Sequence, residues 1–257
     1  MRKAICTSLL ILVITLVFSS PGWSEDKSGL FDRSYMHGSL AFTTDYVFRG
    51  VSQTNEDPGI QGSLEYSHPS GFYLGLWGSN VDSSVSDGNL EIDFFGGYRK
   101  DLTERLNLDL SLFYYYYPSG GSDPEPDYFE AHVGLGYNLA GFLFEPEVGV
   151  GYWYTPDYFG EDGDGHYFNG NIVLSVAYGL ALGGELGYQT VEGDKTTGGG
   201  RGEDGSDGFD FWHWRVGLSR DVLGLGLDLS YHDTSEADFL GPDIADDRVV
   251  FTISRSF

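Results

Sequence analysis

The amino-acid sequence predicts an all-β fold: a transmembrane, antiparallel, up-and-down β-barrel of about twelve strands, with short periplasmic turns at one end and long extracellular loops at the other. Three observations carry this expectation. A period of two runs down most of the chain, one phase apolar and the other charged; the connections alternate between short and long; and aromatic residues gather near both ends of the alternating segments.

The first residues set the compartment. Arg2 and Lys3 precede an apolar run from Ala4 to Phe18, and Gly22 and Ser24 supply the small residues of a cleavage site, so residues 1–24 read as a signal peptide. The run is shorter than the roughly 20 apolar residues of a spanning helix. Cys6 lies ahead of it, so the mature chain carries no cysteine for a disulfide, a thiolate metal site or a nucleophile. Residues 25–36 then form a short periplasmic segment and residues 37–257 the barrel. With the leader removed, 12 basic residues face 39 acidic ones, a net charge of −27, which excludes nucleic acid as a partner. Hydrophobic residues make up only 40% of the chain, as expected where lipid-facing and lumen-facing positions alternate.

Strand by strand, the first segment, Ser39 to Gly50, places Leu40, Phe42, Tyr46 and Phe48 on one face and Asp45 and Arg49 on the other. The apolar phase continues through Ile60–Tyr66, Phe72–Leu76, Leu90–Tyr98, Leu106–Tyr114 and Phe129–Tyr137. Phe142–Tyr152, Phe168–Tyr178, Leu182–Tyr188, Trp212–Leu218, Leu223–Tyr231 and Val249–Phe257 complete the series. A ring of twelve such strands is too wide for its side chains to fill, so the apolar phase belongs outside and the charged phase inside. Short turns fall near Ser67–Gly71, Lys100–Arg105, Asn138–Gly141, Gly179–Ala181 and Arg220–Val222, and the longer connections between them are rich in Gly, Asp and Pro. An even strand count leaves both termini on the short-turn side. Aromatic belts, Phe48, Tyr114, Phe129 and Trp212 at one end and Phe72, Tyr98, Tyr137 and Tyr178 at the other, match two membrane interfaces. The terminal Phe257, preceded by apolar residues at alternate positions, reads as a signal for outer-membrane assembly machinery, with Arg255 departing from the pattern.

The segment Thr43–Thr54, followed by Pro58 and Gln61, resembles the opening strand and loop of the TorF family of porin-like proteins, and Glu91-Ile92-Asp93 and Glu145-Pro146-Glu147 are similar to later segments of it. The resemblance implies an outer-membrane barrel with a pore. It carries over no functional residues.

The candidate site is therefore the lumen. Its charge is expected from Asp45, Arg49, Glu65, Glu91, Asp93, Asp109, Glu130, Glu145, Glu147, Glu185, Arg215 and Asp228, with Arg99 and Arg248, and its aromatic lining from Tyr73, Trp77, Phe113, Tyr115 and Trp153. An excess of carboxylates favours cations, or neutral and basic solutes, in a pore for small molecules. Two other readings stay open. In one, the charges pair and fill a non-conducting barrel whose acidic loops, Glu161–Gly165 and Glu203–Asp207, meet lipopolysaccharide through divalent cations; Asp45 and Arg49, four apart on one face, could enter a local or a cross-strand pair. In the other, His132, His166, His213 or His232 serves a hydrolase, although no spacing fixes a nucleophile, a base and an orienting group. No cofactor, metal site or catalytic residue is expected.

Overall fold

Twelve strands with one greasy face each leave no edge unpaired only if the sheet closes, and it does. The computed structural model describes residues 32–86, 88–118, 120, 125–193, 208–235 and 243–257. The leader, the segment 25–31 and the acidic stretch Glu203–Asp207 lie outside them. The barrel strands are β1 (Met36–Thr43), β4 (Gly59–Ser67), β5 (Phe72–Ser79), β6 (Glu91–Asp101), β7 (Leu106–Tyr116), β8 (Tyr128–Asn138), β9 (Glu147–Thr155), β10 (Gly165–Val176), β11 (Leu180–Val191), β12 (Phe209–Val222), β13 (Leu225–Thr234) and β14 (Arg248–Ser256). Each pairs antiparallel with its neighbours in chain order, and β1 closes the ring on β14, with Phe42 opposite Ile253. Gly38 and Phe257 exchange backbone hydrogen bonds of 2.9 and 3.0 Å, so the C-terminus is tied into the seam at the short-turn end.

The faces fall as the alternation requires. Leu110, Val150 and Leu229 are 44%, 60% and 52% exposed on the outer surface, whereas Glu130 and Gln189 on the inner phase are 1% exposed. Apolar outside and polar inside is the arrangement of a barrel sheathed in lipid. No described helix is long and apolar enough to cross a membrane.

Three sequence expectations are corrected. The first strand ends at Thr43, not Gly50. Thr43 Oγ1 donates to the Asp45 carbonyl at 2.8 Å, while Ser52 and Thr54 hydroxyls donate to the Asp45 carboxylate at 2.6 and 2.9 Å. These local bonds give the backbone an alternative to the ladder. The chain turns into the lumen as a small hairpin of β2 (Val47–Phe48) and β3 (Val51–Ser52), joined through Arg49 and Gly50, both with positive φ (50° and 86°). Tyr46 and Phe48, expected on the lipid side, consequently pack inside, 5.1 Å from Trp77 and 5.9 Å from Tyr115.

The second correction concerns β9, which begins at Glu147. Phe144 and Glu145 adopt positive φ (65° and 43°) and Pro146 brings no N–H donor, so Phe142 and Glu145 sit exposed in a turn. Glu145 does not line the lumen. Third, Leu223 belongs to a two-residue turn with Gly224 (φ 55° and 80°), not to a strand.

At the end of β5's leading turn, Gly71 has φ +99° and a Cβ there would stand 2.3 Å from the Arg99 carbonyl oxygen. Gly71→Ala is expected to destabilise the barrel by about 1–3 kcal/mol, measured by urea unfolding from lipid vesicles; an unchanged midpoint would contradict this packing.

Candidate functional site in the barrel lumen

The long-loop half of the lumen is filled. Tyr46, Val81, Tyr115, Tyr117 and Tyr128 form one buried cluster; Val51, Phe211, Ile244 and Ala245 form another. Both include residues of the inward hairpin or of long loops, so the loops close the barrel from within.

Two ion pairs fasten the hairpin to the wall. Arg49 meets both carboxylate oxygens of Glu130 on β8, at 2.9 and 2.6 Å, and donates to Gln189 on β11 at 2.8 Å. The Tyr115 hydroxyl donates to the same carboxylate at 2.9 Å. The guanidinium lies over the Tyr167 ring at 4.0 Å and the Phe48 ring at 4.7 Å. Burial by itself would lower the pKa of Arg49, but the charge of Glu130 outweighs it, so the arginine stays charged. Asp45 pairs with Arg248 on β14 at 2.9 Å, and Arg248 also reaches Glu56 at 3.7 Å. Of the local and cross-strand alternatives for Asp45 and Arg49, the cross-strand one forms: the two do not pair with each other, and each finds a partner on a distant strand.

Glu91 and Asp93 enter the same half from β6, buried and with no ion pair to a basic residue among the described residues. Tyr117 donates to Glu91 Oε1 at 3.2 Å, while Glu91 Oε2 and Asp93 Oδ1 accept no hydrogen bond. Close by, the hydroxyl of Tyr46 on the inward loop is pushed up in pKa by burial, and further by these two carboxylates.

The short-turn half is more open, with the Arg99 side chain about half exposed, and its charges are mostly paired. Arg99 bridges Glu65 at 2.6 Å and Asp109 at 2.9 Å, lying 3.6 Å above the Tyr73 ring, and Arg215 holds Asp228 at 2.6 Å. Glu185 accepts from Tyr167 at 3.0 Å and Glu147 from Asn138 at 3.3 Å, neither in an ion pair among the described residues. Asn107, Asp109, Asn138, Glu147, Asn169 and Asn171 line a cavity of about 450 Å³ on this side.

Between the halves runs a band of rings. Phe113 lies 5.8 Å from Phe95 and 6.5 Å from His132, His132 stacks on Trp153 at 4.0 Å, Trp153 lies 5.2 Å from Tyr167, and Tyr167 stacks on His213 at 5.7 Å. Trp77, Phe113 and Tyr115 pack in or against the buried cluster around Tyr46, Tyr73 lies under Arg99 and Trp153 stacks on His132. Sequence reasoning passed over Gln189, Tyr167 and the four asparagines, which sit on the inward phase but carry no charge. Position in phase was the signal that could have found them.

Ser111, His132 and Asp109 also converge here, but Ser111 Oγ (2.9 Å) and Asp109 Oδ1 (3.8 Å) approach the same ring nitrogen, Nδ1. A proton relay needs the acid and the nucleophile on opposite nitrogens, so this trio is not one. His166 lies on the outer face beside Tyr152, at 2.9 Å.

A family profile described as "Bacterial protein of unknown function (Gcw_chp)" matches residues 33–257. No curated protein matches the chain. Among solved structures, the chain is similar to the KdgM porin, with a TM-score of 0.56 and 11% identity over 86% of this chain and 99% of that one. It is similar also to the KdgM porin in complex with disordered oligogalacturonate, with a TM-score of 0.54 and 11% identity over 86% and 98% of the two chains. These likenesses establish a shared fold, the closed antiparallel barrel.

Proposed function

The chain belongs to the Gcw_chp family, whose function is unknown, and from that premise we propose that it is a porin-like channel for small solutes in the outer membrane of a Gram-negative bacterium. One observation carries the reading: an apolar belt surrounds a lumen whose short-turn half is accessible and lined by charge. The barrel shared with the KdgM porin and the resemblance of Thr43–Thr54 to TorF porin-like proteins support it. The leader 1–24 would export the chain, assembly machinery would read Phe257, and the long loops would meet lipopolysaccharide.

The solutes are cations, or neutral and basic molecules. After the arginine pairs are formed, Glu147 and Glu185 remain without a basic partner among the described residues, so the open half of the lumen keeps an acid excess. Oligogalacturonate, bound by the KdgM porin, is an acidic polymer, and this acid excess disfavours such a solute here. Refolded protein in planar bilayers should give conductance steps with a reversal potential showing cation preference. Anion preference would overturn the selectivity, and electrical silence the channel.

One feature favours a second reading, a barrel that does not conduct: the inward hairpin and its ion pairs are packed to near-complete burial. We take the hairpin as a removable closure, which the Arg49 substitution discussed below tests.

A further inference from the structure

The cavity of about 450 Å³ in the wall between β7 and β10 is built, not left over. Its volume falls in the range of small-molecule pockets, roughly 300–1,000 Å³. The wall is recessed because Gly134 and Gly136 on β8 and Gly149 and Gly151 on β9 occupy successive inward positions. Three of these glycines make room for amides. A Cβ at position 136 would stand 2.7 Å from Asn107 Oδ1, at 149 2.8 Å from Asn171 Oδ1, and at 151 2.7 Å from Asn169 Oδ1. The glycines thus let three asparagine side chains lie against the wall.

Much of that hydrogen-bonding capacity is unspent. Asn107 and Asn171 make no side-chain hydrogen bond among the described residues, and Asn138 Oδ1 is buried with no donor. Asn107 and Asn171 are exposed to the groove, so their amides, each both donor and acceptor, are free to meet a solute, and the buried Asn138 Oδ1 is of the kind that is ordinarily satisfied. The stacked rings of Trp153 and His132 bound the groove on the loop side. Asp109 is balanced by Arg99, while Glu147 has no cationic partner among the described residues, so the groove repels anions. Paired donors and acceptors, an aromatic boundary and no positive charge fit a neutral, hydroxyl-rich molecule.

We propose that this groove is a binding subsite for a neutral sugar of one or two rings. The purpose of the subsite rests on the channel reading, since it would select solutes at the short-turn mouth; its existence does not.

Isothermal titration calorimetry of the refolded barrel in detergent, with maltose, cellobiose and galacturonate as probes, tests it. At least one neutral disaccharide should bind saturably, and galacturonate should bind at least about tenfold more weakly. Asn107→Ala and Asn171→Ala should each weaken sugar binding by about fivefold, the loss of one net hydrogen bond. Gly149→Ala should match Asn171→Ala, because its methyl displaces that amide. Absence of saturable binding by both disaccharides, tighter binding of galacturonate, or affinity unmoved by both asparagine substitutions in folded protein would overturn the proposal. A barrel that binds sugar but passes no current would overturn the channel and leave the subsite standing; one that conducts without binding sugar would do the reverse.

Discussion

Replacing Arg49 with alanine is expected to open the barrel. Arg49 joins the inward hairpin to β8 through both oxygens of Glu130 and to β11 through Gln189, in a site where Glu130 is 1% exposed. Removing one partner of a buried pair strands the other charge, at a cost of about 3–5 kcal/mol. The Glu130 carboxylate can regain hydration only if the hairpin leaves, so the closed arrangement bears this cost and the open one escapes it. A bias of about 3 kcal/mol changes the ratio of closed to open forms by roughly a hundredfold. Arg49→Ala should therefore show larger or more persistent conductance steps and faster sugar-driven swelling of proteoliposomes. Adding Glu130→Gln should restore much of the closure, since no buried charge is then stranded. Wild-type conductance in a correctly folded Arg49→Ala barrel would mean that the hairpin is not a gate.

A charge placed on the outer belt should be nearly as disruptive, through folding. Val150 lies mid-strand in β9, opposite Leu135 and Gly170, and points away from the lumen. Arginine at the bilayer midplane costs a barrel about 2–4 kcal/mol. Val150→Arg should lower the urea midpoint for folding into vesicles accordingly. Asn107→Arg, on the accessible inner face, should stay within about 0.5 kcal/mol of the parent. Equal losses at the two positions would place the membrane on the wrong side of the sheet.

The outer belt was legible because its cause is local. Alternate residues of a strand face opposite ways, so Leu110 and Asp109 declare their sides without knowledge of any other strand. Breaks in the strands were less legible. Leu40 to Phe48 keeps the period of two in its large apolar residues, yet the strand stops at Thr43 because Asp45 accepts hydrogen bonds from Ser52 and Thr54, side chains beyond the turn. The positive φ at Arg49 and Gly50 is the only local mark of that reversal, and glycine in the sequence permits it without requiring it.

The sequence by itself determined an acidic chain, twelve strands, the closed ring and the apolar side of each strand, since period, turn length and strand count are properties of neighbouring residues. Only the tertiary structure decided which charges pair and where the lumen is blocked. Arg49 and Glu130 are 81 residues apart, Arg49 and Gln189 140, and Asp45 and Arg248 203. Such partners are chosen by the register and closure of the whole ring, and alternation marks a residue as inward without saying what it will face across the lumen.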